Sequence, residues 1–193
     1  MKVVIDTNSL ISLVRYYLPF DKNSVLANFI KDRFQAGEIL IIDKVLDECS
    51  YYSKGLVLKS LPYLTDKSFL KSSNLPIKTD SLIAPSPAKL LRQIDNQFVN
   101  TLVQKQRNLT EVEYENQKTA FMNEADMRLI ILCLNLIKEN IDSEIILVTE
   151  ESEASNDNKL FKKIPFIARE LGINTRTLPE LLDRYDGIDF EFK

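Results

Sequence analysis

The chain of 193 residues is 45% hydrophobic and 27% charged with only 4 Gly, which points to one globular, helix-rich domain and excludes a disordered one. It contains 0 His, so Ser-His-Asp and Cys-His catalysis and every His-ligated metal site are excluded. A formal net charge of −3 gives no electrostatic footprint for general nucleic-acid binding.

"KVVID" (residues 2–6) is a continuous apolar run, the pattern of a strand buried on both faces. From Asn8 the apolar residues Leu10, Ile11, Val14 and Tyr17 recur at helical spacing as far as Pro19. Ser24 is expected to cap a second helix, with Val25, Leu26, Phe29, Ile30 and Phe34 on one face and Gly37 as its stop. "EILIID" (38–43) is a second buried strand, followed by the helix "KVLDECSYYSK" (44–54). This alternation predicts an α/β fold with a central parallel sheet.

The rhythm breaks between residues 55 and 120, which read as a loop and helical insertion. Its first half is rich in Ser, Thr and Pro and has no period. "PAKLLRQIDNQFVNTLVQKQRN" (87–108) predicts one long amphipathic helix, and "TEVEYENQKTAF" (110–121) a shorter polar one. The alternation then returns. "NEADMRLIILCLNLIKEN" (123–140) is a helix, "EIILVT" (144–149) a strand, and 156–172 contains a helix ending at Gly172. "INTRTL" (173–178) is a short strand, and "PELLDRY" (179–185) starts a helix with Pro179 in its first turn. No repeat and no second core divides residues 1–193, so a single domain is expected.

Walker and GxGxxG phosphate cradles are missing from the sequence. No apolar run approaches the ~18 residues of a membrane span, and the first residues lack the basic start of a secretory signal. Cys49 and Cys133 are too scattered for a disulfide framework or zinc site. A cytoplasmic protein with no membrane partner is expected, and its chemistry must rest mainly on carboxylates.

In an open parallel sheet the ligand site lies beyond the carboxyl ends of the strands. Asp6 sits there, and Asp6-Thr7-Asn8 also suits a helix cap. Thr7, Asn8 and Ser9 can cap by themselves, which leaves Asp6 surplus to that task. On helix 44–54, Val45, Leu46, Cys49 and Tyr52 form the apolar face. Asp47 points away from it, while Glu48 lies on its flank, either in a rim salt bridge to a residue such as Lys44 or in a site.

Asn123 is expected to cap the 123–140 helix, with Glu124 and Asp126 in its first turn, where acids complement the helix dipole. The helix behind Asp126 is apolar nearly all round, so its start should be set into the protein body. Glu124 would lie about 200° from Asp126 on a regular helix, so the two should not share a site. Glu150 and Glu151 follow strand 144–149 and alternate in direction, so only one can face Asp6. Asp157 is a weaker candidate. Solvated loop is the ordinary reading for all three.

Several carboxylates held close together repel unless protonated or neutralised by a cation. Oxygen-only ligands suit Mg²⁺ or Mn²⁺, natural partners of phosphate groups. At this point the sequence resembles the PIN-domain ribonucleases. "VVIDTNSLISL" is similar to their opening strand, "VLDECSYY" to their second acidic segment with Glu48, and "NEADMRLIILCL" to their third with Asp126. "ILVTEE" is similar to the fourth, with Glu151 standing where the family usually has Asp.

The resemblance implies a three-layer α/β/α fold and metal-dependent cleavage of RNA by water. Asp6, Glu48 and Asp126 would hold Mg²⁺ or Mn²⁺, Glu151 would complete the set, and Thr7 and Asn8 would steady Asp6. Arg15, Lys159, Lys162 and Lys163 are candidates for meeting phosphates, although a solvated face is the simpler reading of each. Many compact PIN proteins are toxins restrained by a small antitoxin protein, so RNA, an antitoxin and a second copy in a homodimer are the partners to look for. The alternative is a PIN-fold RNA-binding or scaffold protein without activity. A haloacid-dehalogenase-type phosphatase also starts with a strand ending in Asp, but needs a second Asp where this chain has Asn8.

Overall fold

Four short strands form one all-parallel sheet in the order β2-β1-β3-β4 in the computed structural model, which describes residues 1–140, 142–152 and 159–185. β1 (Lys2–Ile5) leads into α1 (Thr7–Ser12), which continues through a wider turn to Tyr17. α2 (Val25–Gln35) returns the chain to β2 (Ile39–Leu40), and α3 (Asp43–Tyr51) follows. Within the 55–120 stretch lie α4 (Leu56–Ser60), α5 (Lys67–Ser72), α6 (Pro87–Gln93) and α7 (Thr101–Gln106). α8 (Glu111–Asn123) abuts α9 (Ala125–Glu139), which precedes β3 (Ile145–Val148). α10 (Ile164–Glu170), β4 (Asn174–Arg176) and α11 (Leu178–Leu182) complete the described chain.

The architecture is therefore α/β with a parallel sheet, compatible with a three-layer α/β/α arrangement. Val3, Val4, Ile5 and all of β3 are buried, as their unbroken apolar runs require of strands covered on both faces. One contiguous apolar cluster runs from the strands through Val57, Leu64, Phe69, Leu90 and Phe98 to Leu181. Side chains of the 55–120 stretch thus belong to the same core. Cys49 and Cys133 are buried and unpaired. Among the described residues no helix is long and apolar enough to cross a membrane.

Three local expectations are corrected. Ser24 does not cap α2; it adopts a left-handed conformation (φ 57°) without a side-chain bond. Asp21, buried one turn earlier, accepts from the N–H groups of Leu26 (3.1 Å) and Ala27 (2.9 Å) instead. A carboxylate with two oxygens satisfies two free donors where a serine satisfies one.

The long helix expected over 87–108 is broken at Val99. There Val99 forms an antiparallel bridge with Phe161, Asn100 N–H donates to the Leu160 carbonyl (2.7 Å) and Lys162 N–H to that of Phe98 (2.8 Å). Asn100 then caps α7. Pairing with a distant segment has overridden helical periodicity. The second strand is also shorter than 38–43, because Ile41 and Ile42 turn to bond Ile77.

The turns that end α2 and α10 follow their glycines. Gly37 (φ 64°) and Gly172 (φ 71°) take the left-handed conformation that closes a helix and starts the next strand.

Candidate metal centre

The chain passes from β1 to β2 on one side of the sheet and later places β3 on the other side of β1. The reversal lies between β1 and β3, and the crevice beyond their carboxyl ends is the usual ligand site of such sheets. The ladder runs one step past the strands. Asp6 N–H donates to the Val148 carbonyl (3.0 Å) and Thr149 N–H to that of Arg176 (3.0 Å), which fixes both backbones at the crevice floor.

Asp6 is 3% exposed. It is not surplus to capping, because one carboxylate oxygen caps α1 by accepting from Thr7 N–H (2.6 Å). The other accepts from the Thr149 hydroxyl (3.1 Å), whose oxygen in turn accepts from Glu151 N–H (3.2 Å). Thr7 also donates its hydroxyl to Glu48. Two threonines thus bind Asp6, Glu48 and the Glu151 backbone into one framework.

A cleft of about 350 Å³ opens over this framework, lined by Asp6, Glu48, Glu124, Asp126 and Glu151, with Thr7, Asn8, Tyr52, Ala125 and Lys159. All four carboxylates picked out in the sequence line it. The helix phase of α3 holds, with Glu48 half-buried and Asp47 exposed. The salt bridge weighed for Glu48 is not formed to Lys44, which lies 3.7 Å from Asp80. Alternation past β3 also holds. Glu151 faces the cleft, whereas Glu150 accepts from Leu178 N–H (2.7 Å) and the Ser9 hydroxyl (3.4 Å) and so serves the start of α11.

Glu124 is a correction. α9 begins at Ala125, and Glu124 precedes it with extended backbone (φ −67°, ψ 156°), while Asn123 ends α8. The 100° step does not apply to an extended residue, so Glu124 and Asp126 line the same cleft. Tyr52, expected on the apolar face of helix 44–54, is instead 51% exposed and lines the cleft, because α3 ends at Tyr51 and Tyr52 has extended backbone. Lys159 lines the cleft, but Arg15, Lys162 and Lys163 do not. Arg15 Nη2 donates to Ser53 Oγ (2.5 Å) and Lys162 lies over the Phe166 ring. Asp157 lies outside the described residues.

Burial first, and then the charges of Glu151 and Glu48, push Asp6 up to about 6 against the opposing hydrogen bonds of Thr149 and Thr7. Burial, Asp6 and Glu151 push Asp126 up to about 7, with Lys159 opposing. Asp126 keeps intermediate exposure as a residue, yet its carboxyl behaves as buried because it points into the cleft. Glu124 is raised by burial, with Lys159 opposing and Glu48 adding. The neighbouring Cys49 thiol is pushed up to about 12 by burial and the same acids, which leaves it inert.

A divalent ion fits this donor set by chemistry. The donors are oxygen only, the cleft holds five carboxylates against one ammonium, and Glu151 Oε2 is buried without a hydrogen-bond partner among the described residues. No three acidic or thiol side chains among the described residues draw close enough to cage an ion by themselves. Family models, curated proteins and solved structures give no match to this chain.

Proposed function

We propose that the chain is a PIN-like, Mg²⁺- or Mn²⁺-dependent endoribonuclease that hydrolyses RNA phosphodiester bonds. The observation that carries this reading is the meeting of Asp6, Glu48, Asp126 and Glu151, from four separate segments, at the reversal point of the sheet. Asp6, Glu48 and Asp126 would hold the ion, with Glu151 beside them. A bound ion would supply positive charge to the cleft and a Lewis acid for phosphodiester hydrolysis.

The chain's own groups do the rest. Thr7 N–H and Thr149 hydroxyl fix both oxygens of Asp6, and the Thr7 hydroxyl aims Glu48. Lys159 offers a phosphate the one cation of the cleft lining among the described residues. Asp126, pushed up to about 7, holds a proton near neutral pH that a cation displaces, so metal binding tightens as pH rises.

The cellular setting that goes with this reading is a toxin held in check by a small antitoxin protein. The alternative, a PIN-like RNA-binding or scaffold protein without activity, is favoured by one observation, the lack of a closed three-ligand group. Incubating single-stranded RNA with the protein separates the two. Cleavage is expected in Mn²⁺ or Mg²⁺, none in EDTA, and a loss of more than about 100-fold in Asp6→Asn, beyond the usual effect of residues that merely orient a ligand. Metal-independent cleavage, or full activity in Asp6→Asn, would overturn the reading.

A further inference from the structure

Beside the carboxylate cleft lies a surface that the proposed chemistry does not use. Tyr51 ends α3 and Tyr52 follows it, with their rings 5.1 Å apart and tilted by 33°, and they are 63% and 51% exposed. Tyr52 lines the cleft, so the pair is continuous with it. Two adjacent aromatic rings left in water contribute little to the core, unlike the buried Phe34 and Phe98.

The turn after them is built at a conformational cost. Ser53 (φ 51°), Lys54 (φ 58°) and Gly55 (φ 70°) are three successive left-handed residues, two of them carrying side chains. Left-handed backbone is unfavourable for residues that carry a side chain, and such turns persist where surrounding contacts hold them. Here those contacts are Arg15 Nη2 to Ser53 Oγ (2.5 Å) and Lys59 Nζ to the Lys54 carbonyl (2.7 Å). Arg15, Lys54 and Lys59 are all exposed. Arg15, Lys54 and Lys59 therefore gather at the turn that directly follows the two exposed rings, while the acids Glu48 and Asp47 act on Tyr51 from the helix before it.

We infer that this surface is a subsite for single-stranded RNA, in which unpaired bases of the strand leaving the cleft stack on Tyr51 and Tyr52 while its phosphates meet Arg15, Lys54 and Lys59. The inference rests on the ribonuclease reading of the cleft and adds where the strand is held beyond it. Aromatic faces between basic side chains are the standard means of holding single strands without reading sequence. A duplex keeps its bases stacked on each other and offers none to the rings.

The test reads binding apart from cleavage. A fluorescein-labelled single-stranded RNA decamer is titrated with the full chain at low salt in EDTA, and anisotropy is recorded. Wild type binds it more tightly than the same sequence as a duplex. Tyr51→Ala/Tyr52→Ala weakens single-strand binding about tenfold or more, the scale of lost base stacking, and leaves duplex binding unchanged. Tyr51→Phe/Tyr52→Phe keeps the ring faces and stays within about twofold of wild type. Circular dichroism verifies that the Ala variant is folded.

No single-strand binding by wild type, equal binding by the Ala variant, or equal loss with the duplex overturns the inference. So does a change in sedimentation mass without a change in RNA binding, which would make the patch a contact between copies. Cleavage of the same RNA in Mn²⁺ is scored separately. Stacking without cleavage removes the ribonuclease reading alone, and cleavage without tyrosine-dependent binding removes the subsite alone.

Discussion

Asp6 and Asp43 stand at the ends of neighbouring stretches of the sheet and are 3% and 8% exposed, yet their surroundings differ in kind. Asp43 accepts from the hydroxyl (2.6 Å) and N–H (3.1 Å) of Thr79 and from Lys44 N–H (3.0 Å). Burial pushes its carboxyl up, but those bonds outweigh it and hold the group below the ordinary carboxylate range. Asp6 has two hydrogen bonds and two nearby carboxylates, and it ends up at about 6. Burial alone therefore does not decide whether a carboxyl is raised or lowered. What separates the two is whether the fold supplies donors to the carboxylate or further negative charge.

The sharpest way to break this comparison is to remove each acid in turn. Asp43→Ala leaves two buried donors of Thr79 without an acceptor, so unfolding in urea should show a loss of roughly 3–5 kcal/mol, the same with and without metal. Asp6→Asn keeps the Thr7 cap through its amide oxygen and removes a repelled charge. In EDTA at pH 8 it should be at least as stable as wild type. A large metal-free loss in Asp6→Asn would erase the distinction.

The two sites should also respond to pH with opposite sign. Asp6 and Asp126 sit at about 6 and about 7 when folded, above their ordinary 3.8. Their folded forms keep protons that the unfolded chain has released. The stability they contribute is thus complete below about pH 4 and is lost as pH rises through 6 and 7. Asp43, held low, contributes stability that is present at neutral pH and is lost as pH falls through its folded value. Urea titrations in EDTA at pH 5 and pH 8 should show wild type losing stability at the higher pH. Asp6→Asn should lose roughly 1.4 kcal/mol less, because between pH 5 and pH 8 the proton equilibrium of a group at about 6 is displaced about tenfold. An equal fall in both proteins would mean that Asp6 is not held high.

A smaller effect tests the phase of α3. Glu48→Gln should weaken Mn²⁺ binding about tenfold in calorimetry, within the range for a changed metal contact. Asp47→Ala, one residue earlier and exposed, should leave both binding and stability within about 0.5 kcal/mol of wild type. Equal effects would place the cleft elsewhere on that helix.

Much of the sheet and four of the five cleft acids were legible because they follow from local rules. Unbroken apolar runs mark strands buried on both faces, a 3.6-residue period orients Glu48 against Asp47, and a period of two separates Glu150 from Glu151. The rest depended on partners distant in sequence. Nothing near Asp43 shows that Thr79 will return to satisfy it, and nothing near Val99 shows that Phe161 will pair with it and end a helix. Glu124 was misplaced by a boundary of one residue, since moving the N-cap of α9 from Asn123 to Glu124 turns a helical residue into an extended one. Asp21 displaced Ser24 for a similar reason, because a cap chosen by adjacency ignores a carboxylate a turn away.

The proposal that the cleft is a metal centre is tested most directly by metal-linked stability in wild type and Asp126→Ala. Asp126 could serve only its helix dipole, worth about 0.3–1 kcal/mol whether or not metal is present. If it instead shares a site with Asp6 and Glu48, Mn²⁺ at a hundredfold excess over its dissociation constant should raise wild-type stability by about 2.7 kcal/mol. In the variant that gain should shrink or vanish, and in EDTA the variant should be no less stable than wild type. Urea titrations of both proteins in EDTA and in millimolar Mn²⁺ give the four values needed. An equal metal-induced gain in both, or no gain in either, would contradict the account.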